Sequence, residues 1–292
     1  MSKKGKGSMK DLVVFGHIPK TAGSTMHRIL ERVYPRPAIF TSLIPEAHAE
    51  RLQTLQTLLQ ADRQHVQVFV SHAGYGVQNY LPDTRRLVYF TMLREPIDRV
   101  VSGYYMYQRK GQIPPDMTLE EFCVSHRKPG SNLQTSFLSG YFLERHLDGK
   151  EPDPAAFNRE MLNLAKENLR RHVVVGLTER FDESLLLVQE AFGWPTFRML
   201  HARANVGRNR VAMKQLSAET LAFVSSQNEL DLELYAFAKQ LFEEQLLASE
   251  GRIGQKAASF RRLNAAYGHA FPLLKNLAGP IRKILKWPSS KE

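Results

Sequence analysis

Residues 12–18, LVVFGHI, form a short apolar run rich in valine, too brief for a helix, and read as a buried strand. They pass directly into Pro19-Lys20-Thr21-Ala22-Gly23-Ser24-Thr25, a small, turn-like stretch. Behind it, Met26, Ile29, Leu30 and Val33 fall at i, i+3, i+4 and i+7, the spacing of an amphipathic helix that Pro35 and Pro37 then end. This order of strand, loop and helix constrains the fold more than any other feature of the chain. It also makes an anion site, because free N–H groups and the positive end of the helix dipole point at one spot. Gly23 permits close backbone approach, Ser24 and Thr25 add hydroxyl donors, and Lys20 adds a mobile ammonium. The order differs from the ATPase loop, in which the lysine directly precedes the Ser/Thr; here Lys20 comes three residues before Gly23.

The rest of the chain repeats the alternation. Residues 66–71, 86–93 and 172–177 read as strands; 46–60, 154–170, 180–192, 217–227 and 229–248 read as helices. Another helix opens at Pro96, where the missing N–H costs nothing, and Thr118 with Glu121 forms a capping-box pattern before a further one. Strands alternating with helices predict an α/β fold: three layers, with a mainly parallel central sheet flanked by helices.

A second strand-to-helix junction carries Arg94 at the strand end and Ser102 two turns into the helix, within LREPIDRVVSGYY (93–105). Arginine suits forked recognition of phosphate. Two such junctions in one chain suit a ligand with phosphates at two separated positions.

Taken together, HIPKTAGST (17–25) resembles the 5′-phosphosulfate loop of sulfotransferases that use 3′-phosphoadenosine 5′-phosphosulfate (PAPS), and LREPIDRVVSGYY resembles their 3′-phosphate motif. The likeness is greatest to the carbohydrate sulfotransferases of the heparan sulfate 2-O and 6-O type and their bacterial relatives. It extends to NLQTSFLSG (132–140) and to 173–194, and covers about 11–248 with gaps. The resemblance implies a P-loop-like fold and PAPS as sulfuryl donor, with no metal required. Lys20 would stabilise the leaving phosphate; Thr21, Ala22, Gly23, Ser24 and Thr25 would cradle the 5′-phosphate; Arg94 and Ser102 would hold the 3′-phosphate. The acceptor would be a hydroxyl, expected on a carbohydrate or glycoconjugate.

The acceptor hydroxyl needs a general base, and His72 is the candidate. It lies where the second predicted strand runs into a Gly-rich loop, and ligand sites of parallel sheets lie at such carboxyl ends. Imidazole titrates in the range that proton abstraction near neutrality requires. His17 precedes the phosphate loop and reads as structural, and Glu95 is expected to pair or cap. Asn132, Gln134 and Thr135 fall in the familial segment 132–140, and either border the cofactor and acceptor or cap a helix. Arg208, in the polar loop 205–210, is a further cofactor-binding candidate. The alternatives are a P-loop nucleotide kinase or NTPase, a sulfotransferase for lipid, small-molecule or protein acceptors, and a membrane- or polyanion-binding module with a relict nucleotide site.

Charge sharpens this reading. The chain of 292 residues carries a formal charge of +11. Residues 1–10 hold four lysines and no acid, and 251–292 hold nine basic residues and one acid, which leaves 27 basic and 28 acidic residues in 11–250. A near-neutral body argues against nucleic acid as partner. The expected organisation is a basic flexible tail (1–10), a catalytic domain (11–250) and a basic amphipathic C-terminal extension (251–292) broken at Pro272 and Pro280. That extension is a candidate contact for an anionic membrane or an oligomer partner. The single cysteine, Cys123, excludes an intramolecular disulfide. With no signal-like apolar run and no span of 18 apolar residues, this points to a cytoplasmic protein, with the extension as a route to membrane association.

Overall fold

The computed structural model describes residues 11–42, 48–61, 65–72, 74–80, 86–125, 131–143, 157–201 and 216–284. Strand β1 (Leu12–Gly16) is buried throughout and leads through the loop into α1 (Gly23–Val33). There follow β2 (Ile39–Ser42), α2 (His48–Ala61), β3 (Val68–Ser71) and β4 (Leu87–Leu93). Next come α3 (Pro96–Arg109), α4 (Leu119–Val124), α5 (Leu133–Ser139), α6 (Arg159–His172) and β5 (Val173–Leu177). The chain continues through α7 (Phe181–Phe192), α8 (Thr196–Met199), α9 (Ala218–Ser226), α10 (Glu229–Ala248) and α11 (Arg252–Ile284).

The strands form one parallel sheet in the order β2-β3-β1-β4-β5, with α-helices between them in sequence except between β3 and β4, where the described residues hold a 3-10 turn at Val77–Tyr80. The α/β reading therefore holds, with one strand more than expected. Strand β2 has four residues, follows a 3-10 turn at Arg36–Ala38, and pairs only with β3 at the sheet edge. So short a run behind two prolines carries too little alternation to announce itself.

Register is what positions the site. Gly16 lies opposite Ser71 of β3 and Thr91 of β4, so β1 and β3 end level while β4 runs two residues further, to Leu93. Their continuations, the loop at 17–22, His72 and Arg94, all emerge at one edge of the sheet. The core packs beneath them: Phe15, Phe90, Phe69, Ile18, Met26 and Leu30 are all fully buried. Each such side chain contributes about 1.5–3 kcal/mol by leaving water.

Two further points bear on the termini. Thr118 and Glu121 form the predicted capping box at α4 through reciprocal bonds of 3.1 and 2.8 Å. Helix α11 runs unbroken through Pro272 and Pro280, where the sequence predicted breaks. Each proline deletes one backbone hydrogen bond, which a long, already nucleated helix absorbs as a local bend. The near half of α11 belongs to the main core, with Ile253, Ala257 and Phe260 buried in it. Asn264 Nδ2 donates to the buried Asp182 at 2.9 Å, which fastens this helix to α7. Among the described residues, no helix is long and apolar enough to cross a membrane.

Candidate active site

Each loop at the sheet edge is held by the strand beside it. His17 N–H donates to Ser71 O at 2.9 Å, which extends the β1–β3 ladder one residue past the strand. Thr91 Oγ1 donates to Gly16 O at 2.7 Å from the other side. Between these anchors the loop turns sharply: Lys20 and Ala22 both take left-handed backbone angles, φ 73 and 65. The fully buried Thr21 steadies the turn by donating Oγ1 to Ile18 O at 2.8 Å. Its hydroxyl therefore shapes the loop from within. Ser24 is exposed and Thr25 half-buried at the opening of α1.

Side chains close some of the helix N-termini in the chain. Glu95 caps α3 by accepting from Asp98 N at 2.7 Å, and Ser217 caps α9 by accepting from Thr220 N at 3.1 Å. Helix α1 has no side-chain cap and no acid in its first turn. Thr25 N donates to Ala22 O at 3.0 Å, which leaves the N–H groups of Gly23 and Ser24 for an external acceptor.

Gly23 is required here for a steric reason. A Cβ on it would stand 1.5 Å from Nε2 of His17, whose ring lies against the first turn of α1. That ring also stacks on Phe15, with centroids 5.4 Å apart. On its other side, Nδ1 lies 3.0 Å from Nε2 of His72, with the two rings nearly perpendicular at 71°. Burial, His72, His27 and Lys20 together push the His17 imidazole down to about 3, so it is neutral at physiological pH. The structure thus joins His17 to the predicted base, which reading the sequence as a string did not reveal.

Lys20 extends along α3, with its Cγ 4.0 Å from where a Cβ on Gly103 would lie. Among the described residues its ammonium makes no ion pair. Burial depresses its pKa, as do the charges of Arg94, Arg109 and Lys110. Four cations therefore share this side of the loop, and Arg109 and Lys110 were not among the sequence candidates.

Arg94 is 14% exposed and firmly held. Its Nε and Nη2 donate to Asp98 Oδ2 at 2.9 and 2.7 Å, and its Nη1 donates to Lys20 O at 3.0 Å. A guanidinium has five N–H donors, so two remain after these three bonds. Its backbone is gripped as well: Arg94 N donates to Gln134 Oε1 at 3.0 Å, and Gln134 Nε2 donates to Arg94 O at 2.9 Å.

Gln134 is in turn fixed from below. The buried carboxylate of Asp231 accepts from Gln134 N at 3.1 Å and from Thr135 N and Oγ1, both at 2.8 Å. Arg99, also buried, stands 4.0 Å from it. Asn132 completes the joint by accepting from Asp231 N at 3.1 Å and donating Nδ2 to Gln227 O at 3.2 Å. In this structure, 132–135 is a buried splice between α5 and α10 that supports Arg94. Ser102 lies on α3, 3% exposed, beside the Gly103 that Lys20 passes.

The remaining candidates fall out plainly. Glu95 caps, as expected. Trp194 is buried and donates Nε1 to Tyr34 Oη at 2.9 Å, a packing role. Cys123 is buried and its thiol is pushed up to about 12, which leaves no thiolate for nucleophilic chemistry. Arg208 and the whole loop 205–210 lie outside the described residues. Among the described residues, no group of three or more His, Cys, Asp or Glu is placed to hold a metal ion.

A parallel sheet with an uncapped helix after its central strand, and an arginine clamped over that loop from the adjacent strand, makes a P-loop-like α/β fold. The chain belongs to the galactose-3-O-sulfotransferase family, whose model matches residues 2–267. Heparan-sulfate 6-O-sulfotransferase 2 of Gallus gallus is 25% identical over 272 residues, 80% of this chain and 67% of that protein. Heparan-sulfate 6-O-sulfotransferase 3-B of Danio rerio is 26% identical over 183 residues, 54% of this chain and 43% of that protein. The chain thus spans between two thirds and less than half the length of these relatives. A solved sulfotransferase from Alicyclobacillus acidocaldarius aligns with 78% of this chain and 98% of its own at 15% identity, with a TM-score of 0.39.

Proposed function

We propose that this protein transfers a sulfuryl group from PAPS to a hydroxyl of a carbohydrate or glycoconjugate. The observation that carries the reading is the uncapped N-terminus of α1 with Lys20 beside it and Arg94 bonded to the Lys20 carbonyl. The residues suit a nucleotide with anionic groups at two separated positions. The first turn of α1 holds no acid, the Lys20 ammonium has no ion-pair partner among the described residues, and Arg94 keeps two donors. Family membership and the carbohydrate sulfotransferases among the relatives support the choice of donor and acceptor.

When bound, PAPS supplies the sulfuryl group: sulfur bonds to the acceptor oxygen as its bond to the 5′-phosphate oxygen breaks, and the electron pair stays on the phosphate. The chain's own residues position and neutralise. The N–H groups at the start of α1, with Ser24 and Thr25, hold the 5′ end. Lys20 places positive charge where the leaving oxygen gains negative charge, the kind of preorganised stabilisation that dominates such transfers. Arg94 holds the 3′-phosphate with its two remaining donors, and Ser102 lines the same wall. His72 takes the proton of the acceptor hydroxyl, which makes the oxygen nucleophilic as the bond forms. Lys20, Arg94 and His72 all follow the carboxyl ends of adjacent strands, which supports a role in positioning.

Calorimetry with 3′-phosphoadenosine 5′-phosphate tests the nucleotide site. Binding at least ~10-fold tighter than AMP is expected, since the 3′-phosphate adds charge-assisted hydrogen bonds to Arg94. Equal affinity for the two nucleotides, or turnover of ATP in their place, would remove the reading.

A further inference from the structure

Helix α11 changes character along its length. Ile253, Ala257, Phe260 and Asn264 face the body of the protein and are buried. From there Leu263, Tyr267, Ala270, Leu274, Leu277 and Ile281 follow one another at alternating steps of four and three residues. In a helix of about 3.6 residues per turn these positions share one face, and Phe271, Leu273 and Ala278 widen it to nearly half the circumference. Lys275, Asn276, Arg282 and Lys283 fall on the remaining face, and both prolines lie outside the apolar arc.

From Arg252 to Ile284 the helix carries seven arginines and lysines and no acid. Arg252 pairs with Glu190 and Glu250 at 2.6 and 2.9 Å, whereas Lys256, Arg261 and Arg262 are exposed. At Tyr267 the helix meets a second basic surface. Arg32, in the last turn of α1, donates Nη1 to the Tyr267 hydroxyl at 3.4 Å and lies 5.9 Å over its ring. Arg198 of α8 in turn donates to Arg32 O and Val33 O at 2.9 and 3.0 Å, the carbonyls that end α1. Beside it Phe197 is 68% exposed, with the Arg198 guanidinium 5.7 Å over its ring. Glu31 of α1 is set against Arg36 at 3.8 Å and His27 at 3.9 Å. Cations and exposed apolar side chains therefore share this corner.

Three occupants compete for such a surface, and the charges choose among them. A second copy packed along the same face as a coiled coil needs opposite charges beside the seam, and α11 offers only positive ones. A polyanion uses the cations but leaves the apolar arc in water. An anionic bilayer takes both, with the cations at the headgroups and the apolar arc at the start of the acyl chains. We propose that α11, together with the Phe197–Arg198 corner, docks this protein on the surface of an anionic lipid bilayer, with the helix lying in the plane of the interface. The phosphate loop stands at the other end of α1, a helix of 11 residues and so about 16 Å long. Docking surface and donor site thus occupy opposite ends of one helix, and the inference does not depend on the proposed reaction.

Flotation of the full chain with lipid vesicles tests this. Vesicles of phosphatidylcholine mixed equally with phosphatidylglycerol should bind at least ~10-fold more tightly than phosphatidylcholine alone, and binding should weaken as salt is raised. Lys275→Gln, Arg282→Gln and Lys283→Gln together should lower affinity roughly 100-fold, at about fivefold per charge. Leu274→Ser with Leu277→Ser should lower it at least ~10-fold with the charge unchanged. These positions follow the residues buried in the core, so the melting temperature should match that of the parent. Phe197→Ser changes the body and leaves the helix intact; it should weaken binding about threefold. Equal binding to both kinds of vesicle, or unchanged binding in the charge or leucine variants, overturns the proposal. Sedimentation velocity covers the second copy: a parent dimer that the leucine variant turns into a monomer gives the apolar face to self-association and overturns it too. Retention on heparin without binding to anionic vesicles does the same in favour of a polyanion.

Discussion

Arg94 Nη1 donates to the carbonyl oxygen of Lys20 at 3.0 Å, which ties the end of β4 to the left-handed turn that precedes α1. On the proposed reading, one guanidinium would shape the loop for the 5′ end of the nucleotide and offer its spare donors to the 3′ end. Arg94→Lys keeps the charge but cannot bond Asp98 and Lys20 O together. Affinity for 3′-phosphoadenosine 5′-phosphate should fall at least ~10-fold, and stability by about 1–3 kcal/mol for the lost buried bonds. Calorimetry and denaturant unfolding measure the two separately. Unchanged affinity would mean that Arg94 serves the loop alone.

Much of this arrangement was legible in the sequence, and the boundary is instructive. The loop at 17–25, the helix at Pro96 and the capping box at Thr118 are local patterns, written in neighbouring residues. What escaped depends on which strands lie side by side. His17 and His72 are 55 positions apart and meet only because β1 and β3 are adjacent and end level. Gln134 reaches the backbone of Arg94 across 40 positions, and Asp231 reaches Thr135 across 96. Strand β2 escaped for the opposite reason: its four residues are too few to show a period. Prolines 272 and 280 misled because each costs a helix one backbone bond without having to end it, and the helix continues past both.

Gly23→Ala isolates the contact between the phosphate loop and the histidine pair. A methyl 1.5 Å from His17 Nε2 cannot be accommodated without moving the ring, and the ring is wedged between Phe15 and His72. Overpacking of this kind costs about 1–3 kcal/mol. Stability should drop by that amount, with a larger proportional loss of turnover because His17 is pushed off His72. A thermal melt and a steady-state assay on one preparation compare the two. Full turnover in the variant would show that the His17 ring position does not matter to the reaction.

Lys20→Ala should separate catalysis from stability in the opposite sense. The ammonium is held where burial and the charges of Arg94, Arg109 and Lys110 all oppose its protonated form. Its removal relieves those costs, so the melting temperature should hold or rise. Turnover should fall by roughly 10²- to 10³-fold, the usual effect of deleting one preorganised charge at a developing anion. A stability assay beside single-turnover kinetics decides the matter, and a fall in both would make Lys20 a structural residue.

Asp231 holds the splice beneath Arg94. It is fully buried, accepts from Gln134 and Thr135, and faces the buried Arg99. Asp231→Ala removes the buried carboxylate that faces that guanidinium and strands two backbone N–H groups, at a cost of about 3–5 kcal/mol. Since Gln134 would no longer be anchored, nucleotide affinity should weaken along with stability. Denaturant unfolding followed by calorimetry on the folded fraction checks both effects; weakened folding with unaltered affinity would detach this splice from the site.

Stability should also depend on acidity through His17. Its folded pKa is lowered from 6.5 to about 3 by burial and by His72, His27 and Lys20. Between those values the unfolded chain binds a proton that the folded chain refuses, so stability rises with pH across this window. The contribution is fully present above pH 6.5 and is lost as pH falls toward 3, with a limiting slope of about 1.4 kcal/mol per pH unit. Other groups add their own slopes, so the informative quantity is the difference between parent and His17→Asn, which has no titrating ring at this position. Unfolding free energies measured from pH 7.5 to 4.5 should diverge below pH 6.5, with the parent losing stability faster. Parallel curves would mean that His17 is protonated as readily in the folded chain as in the unfolded one.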